Sequence, residues 1–91
     1  MTFEYDENKS KSNKLKHGLD FNEAKVLWDD SYAFELPALE SKEEDRFLVL
    51  GQIASKNYTA IITYRGSNIR IISVRKSREK EIEFYESIKA R

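Results

Sequence analysis

The chain has 91 residues, with 16 basic and 16 acidic side chains, one histidine and no cysteine. The missing cysteine excludes a disulfide framework, a thiolate zinc site and a thiol nucleophile, and the single histidine excludes a multi-histidine metal site. No apolar run approaches the roughly 20 residues of a bilayer span and the first residues are too polar for a signal peptide, so one soluble, cytoplasmic domain over residues 1–91 with no cofactor is expected.

Phe3-Glu4-Tyr5 alternates as a short strand and runs into Asp6, a good helix N-cap. A lysine-rich helix over 7–17 follows, ended by Gly18 just past the C-cap. Leu15 is its one strong hydrophobe, so most of this helix faces water. Asp20 with Glu23 three residues later forms a capping-box-like start to a second helix. Phe21, Ala24, Leu27 and Trp28 give it one apolar stripe, which places Trp28 in the core, and Asp29-Asp30-Ser31 ends it. Residues Tyr32 to Leu36 read as an edge strand or loop, because Pro37 limits pairing. The acidic stretch 38–45 reads as an exposed loop.

Three strands come next: Arg46 to Ala54, Tyr58 to Arg65 and Ile69 to Arg75. The turn-sized links Ser55-Lys56-Asn57 and Gly66-Ser67-Asn68 predict an antiparallel meander. Ile61-Ile62 and Ile71-Ile72 are apolar on successive residues, as in strands covered on both faces. Ser77 caps a last helix over 78–90, with Ile82, Tyr85 and Ile88 on one face. The expected fold is α+β: an antiparallel meander sheet packed with N-terminal helices and a C-terminal helix.

The net charge is zero, yet the charges are segregated. Residues 19–45 carry most of the acids. Residues 46–78 hold Arg46, Lys56, Arg65, Arg70, Arg75, Lys76 and Arg78 and no acid at all. Such a stretch fits a polyanionic or acidic partner, or else an internal pairing of the two halves.

Four ordered blocks carry a family resemblance. They are Phe3-Glu4-Tyr5-Asp6 with Asn13 and Lys16-His17-Gly18; Phe21-Asn22-Glu23-Ala24; Asp45-Arg46-Phe47-Leu48 with Gly51; and Arg70 through Lys76 with Glu81 and Tyr85. In order and spacing the chain resembles the BrnT family of bacterial toxins. It departs from the family at Tyr5, where Trp is common, at Asn22, where Glu is common, and at Val74 and Ser77, where Ala is common. The resemblance implies a RelE-like fold and a metal-independent ribonuclease that stops translation. It also implies a hetero-oligomer with a ribbon-helix-helix antitoxin of the BrnA type, through which alone operator DNA is reached. The other readings are a non-catalytic basic binding module, and an inactive toxin homologue acting only in antitoxin-dependent autoregulation.

RNA cleavage without a metal needs cations around the phosphorane and groups that move two protons. Arginine suits the first task, because its fork matches phosphate geometry and stays charged. Arg46, Arg70 and Arg75 are the candidates. Arg70, flanked by isoleucines in mid-strand, must be paired, with Glu81 or another acid as its alternative partner. Arg46 reads equally as a surface ion-pair residue. Strict strand alternation sends Arg70 and Arg75 to opposite faces, unless a bulge or the strand end intervenes. His17 reads either as a general base or as a helix C-terminal cap. Lys16, Tyr64, Arg65 and Lys76 are candidate RNA contacts, Tyr85 reads as core, and Glu81 is an orienting group or a base. Lys9, Lys11 and Lys14 read as a solvated face.

Overall fold

The computed structural model describes residues 1–38 and 44–91. In chain order the elements are β1 (Thr2–Glu4), α1 (Glu7–His17), α2 (Phe21–Ala24), a 3₁₀ turn (Lys25–Asp29), β2 (Phe34–Pro37), β3 (Phe47–Ile53), β4 (Lys56–Arg65), β5 (Asn68–Lys76) and α3 (Glu79–Lys89). The strands form one sheet in the order β1-β5-β4-β3-β2. The α+β expectation holds, with β3, β4 and β5 as the meander. The sheet is mixed rather than wholly antiparallel, because β1 pairs parallel to β5 at one edge. At the other edge β2 pairs with β3 and carries Pro37 as its last residue. The loop expected over 38–45 lies mostly outside the described residues.

The helix starts follow their capping residues. The Asp6 carboxylate accepts from the backbone N–H groups of Asn8 and Lys9, and Gly18 closes α1 in the left-handed region at φ 77°. Asp20 and Glu23 make the reciprocal capping box of α2. The apolar stripe does not continue as α-helix: after one turn the chain tightens into the 3₁₀ segment, which buries Leu27. Trp28 is half-buried and meets Phe3 edge-on, with ring centroids 4.9 Å apart. At α3 the N-cap is Arg78, not Ser77. Arginine has no acceptor to offer there, so the cap is one-sided: Glu81 accepts from the Arg78 backbone N–H at 2.8 Å.

One sheet face packs on α1, α2 and the 3₁₀ turn. Phe21, Ala24, Leu27, Val49, Ala60, Ile62, Ile71 and Val74 form this core. Gly51 permits the close approach of β3 to the 3₁₀ turn, since a Cβ there would lie 3.0 Å from Leu27 Cδ2. Part of the opposite face lies under α3. Phe84 packs on Phe34, and the buried Tyr85 hydroxyl donates to Asp30 Oδ2 at 2.6 Å. Burial and this bond push the Tyr85 phenol well above its ordinary range.

Two local features set the geometry of the far end of β5. First, β1 pairs with β5 only over Asn68, Ile69 and Arg70. Beyond that point Asn13 of α1 stands in for a strand. Its amide donates to Val74 C=O at 2.8 Å and to Leu19 C=O at 2.7 Å, and its Oδ1 accepts from Val74 N–H at 3.2 Å. These bonds satisfy an otherwise open sheet edge with α1. Second, Ile61 pairs with Ser73 while Ile62 pairs with Ile71, so Ile72 is an extra residue in β5. That bulge reverses the side-chain parity of β5 beyond it.

Candidate functional site

The bulge resolves the facing of the two arginines. Arg70 stands opposite Thr63 and Arg75 opposite Thr59, and those two threonines lie four residues apart on unbulged β4. Arg70 and Arg75 therefore share the α3 face of the sheet. They do not share a site. At a strand rise of about 3.3 Å they are separated by roughly 15 Å.

The predicted site residues fall into two groups at opposite ends of the sheet. Lys16 and His17 from the last turn of α1, Arg75 and Lys76 from the end of β5, and Arg78 before α3 line one open cleft of about 460 Å³. Two lysines, two arginines and an imidazole thus converge on it. The last turn of α1 reaches this place because Asn13 holds the helix against Val74, immediately before Arg75.

Arg75 is fixed from behind. Its Nη1 and Nη2 donate to Glu81 Oε1 and Oε2 at 2.7 and 2.9 Å. Glu81 Oε1 also accepts from Thr59 Oγ1 at 3.0 Å, and Thr59 in turn shares a 2.8 Å bond with Ser77 Oγ. The Arg75 and Glu81 side chains are only 19% and 14% exposed. Burial alone would raise the Glu81 pKa, but the bonds from Arg75, the Arg78 N–H and Thr59 outweigh it and bring it down to about 2. A carboxylate held this way is a poor proton acceptor near neutrality. It orients Arg75, not Arg70.

The other predicted cations lie at the opposite end. Arg70 pairs with Glu4 at 3.2 Å, as its mid-strand position requires. Arg65 lies 3.9 Å from Glu4 and 4.0 Å from Glu44. Asn68 also donates to Glu4, and these contacts hold the Glu4 carboxyl below its usual range against the cost of burial. Arg46 is exposed at the start of β3. Tyr64 packs on Phe47 and donates to Glu35, which together with burial raises its phenol to about 12. None of Arg46, Tyr64, Arg65 or Arg70 lines the cleft. Arg78 does, although sequence reasoning counted it only as part of the basic stretch; its place just ahead of a helix beside two basic residues was the available signal.

No group of three or more potential metal-ligating side chains occurs among the described residues. Nor is any helix among them long and apolar enough to cross a membrane. A family model described as "Ribonuclease toxin, BrnT, of type II toxin-antitoxin system" matches residues 5–81. No curated protein matches the chain.

Proposed function

The chain belongs to the BrnT family of ribonuclease toxins of type II toxin–antitoxin systems, and on that premise we propose that it cleaves RNA in the cleft between α1, β5 and α3. The observation that carries this reading is the convergence of Lys16, His17, Arg75, Lys76 and Arg78, with Arg75 held by Glu81. A phosphodiester seated there meets an arginine whose direction is already set. Orienting that cation beforehand removes a reorganisation cost from the transition state.

The reaction uses the substrate's own 2′-oxygen. His17 takes the 2′-hydroxyl proton as the O2′–P bond forms. Arg75 and Lys76 face the non-bridging oxygens, where negative charge accumulates. The P–O5′ bond breaks and the Lys16 ammonium gives a proton to the departing O5′. The products are a 2′,3′-cyclic phosphate and a 5′-hydroxyl, and no step requires a metal. Arg78 holds a neighbouring phosphate. Arg46, Arg65, Arg70 and Tyr64 lie too far along the sheet to touch the same phosphate.

The type II family supports a protein antitoxin as the partner. We assign it to the ribbon-helix-helix BrnA type, with operator DNA reached only through it and with the toxin acting as one cytoplasmic domain. The test is an end-labelled message in a bacterial cell-free translation extract containing the purified chain. Shortened message with 2′,3′-cyclic phosphate ends and lost protein synthesis is expected. Intact message with normal synthesis would leave a basic binding module or an inactive homologue.

A further inference from the structure

A second hollow of about 180 Å³ adjoins the cleft and shares Lys16 and His17 with it. It lies between α1 and the bulged stretch of β5, and Lys9, Ser12, Ile72 and Ser73 also line it. The bulge at Ile72 shapes this wall, because two residues of β5 there stand against one of β4. Asn13 also reaches this hollow, but its amide is committed to Leu19 and Val74. The hydroxyls of Ser12 and Ser73 make no hydrogen bond among the described residues, so both remain available to a ligand. Ile72 is half-buried and offers an apolar surface beside them.

We propose that this hollow is a nucleobase subsite that receives the base flanking the cleaved phosphate and gives the enzyme its sequence preference. The proposal rests on the ribonuclease reading above. Its size suits one planar heterocycle. An apolar side chain covers part of the base plane, while two hydroxyls and an ammonium address the edge. Lysine only donates, and a serine hydroxyl donates or accepts as needed. The edge selected is therefore one rich in carbonyl acceptors, which guanine and uracil present and adenine lacks. The adjacency of the two hollows over Lys16 and His17 places that base next to the reacting phosphate. A ribonuclease whose cleft held phosphates alone would cut without regard to sequence, since phosphate contacts position the strand and base contacts specify it.

The test uses messages carrying each of the four bases beside a single cleavage site, in the same translation extract, with cut positions read by primer extension. The wild-type chain is expected to favour guanine or uracil there. Ser12→Ala, Ser73→Ala and Lys9→Ala should each lower that preference by about three- to tenfold, by slowing cleavage of the favoured messages towards the rate of the others. Cleavage without any base preference, or a preference that survives all three substitutions, overturns the subsite and leaves the ribonuclease intact. No cleavage by the wild type would remove both.

Discussion

Arg75 and Glu81 meet across the corner between β5 and α3 through two parallel charged hydrogen bonds of 2.7 and 2.9 Å. Both partners are largely buried, and the carboxylate also caps α3 and accepts from Thr59. One acid thus fixes the direction of the arginine at the cleft, ties β4 to β5 and starts the last helix. Loss of either residue has different consequences, and that difference is measurable.

Glu81→Gln keeps the shape of the side chain but removes its charge. Arg75 then loses its fixed direction. Cleavage should fall about tenfold in kcat with a smaller change in KM, because misplacement of a charge-stabilising group is felt in the transition state. Glu81→Asp should recover part of the loss. Equal loss in both substitutions would mean that Glu81 matters only for folding.

The same pair makes stability depend on pH. The folded pKa of Glu81 is lowered from 4.5 to about 2, so its contribution is fully present above pH 4.5 and is lost as pH falls towards 2. Wild type should exceed Glu81→Gln by roughly 2–3 kcal/mol at pH 7, and the two should converge near pH 2. Urea denaturation at a series of pH values measures the gap. A constant gap across that range would contradict the assignment.

Asn13 covers the open edge of β5 with three buried hydrogen bonds. Asn13→Ala strands the Val74 N–H and C=O and the Leu19 C=O, at a cost of about 3 kcal/mol. It also loosens the end of α1 that carries Lys16 and His17. Chemical denaturation gives the first effect, and cleavage by the remaining folded protein gives the second. Destabilisation of under half a kcal/mol would show that water replaces the side chain there.

The β3–β4 turn carries Ala54 at φ 51° and Ser55 at φ 67°, both in the left-handed region. Two-residue hairpins of this kind favour Asn-Gly. Ala54→Asn with Ser55→Gly should stabilise the protein by about 1 kcal/mol without altering cleavage, as the turn lies outside the cleft. A thermal melt of the double variant checks this.

Local signals were legible in the sequence where one residue decides one feature. Asp6, Gly18 and the Asp20–Glu23 pair marked helix ends, and the spacing of apolar residues marked the meander. What could not be read there depends on contacts between distant residues. A three-residue β1 gives no sign of parallel pairing with β5, yet that pairing brings Glu4 to Arg70. Ile71-Ile72-Ser73-Val74 reads as a regular strand covered on both faces, so the bulge that brings Arg75 to the face of Arg70 is invisible. Glu81 is equally plausible beside either arginine until α3 is positioned. Asn13 reads as an ordinary polar residue on a polar helix, although it is buried and pins that helix to the sheet. Even so, Lys16, His17, Arg75 and Lys76 could be picked out as candidate residues once the family resemblance had pointed to ribonuclease chemistry.

The most direct measurement compares initial RNA cleavage rates of Arg75→Ala and Arg70→Ala with that of the wild type, each variant first shown to be folded by circular dichroism. The cleft at the end of β5 predicts a loss of at least about 100-fold for Arg75→Ala. Arg70→Ala, which breaks only a structural pair with Glu4, should stay within about threefold. Full activity in Arg75→Ala, or a larger loss in Arg70→Ala, would place the chemistry at the other end of the sheet and contradict the account.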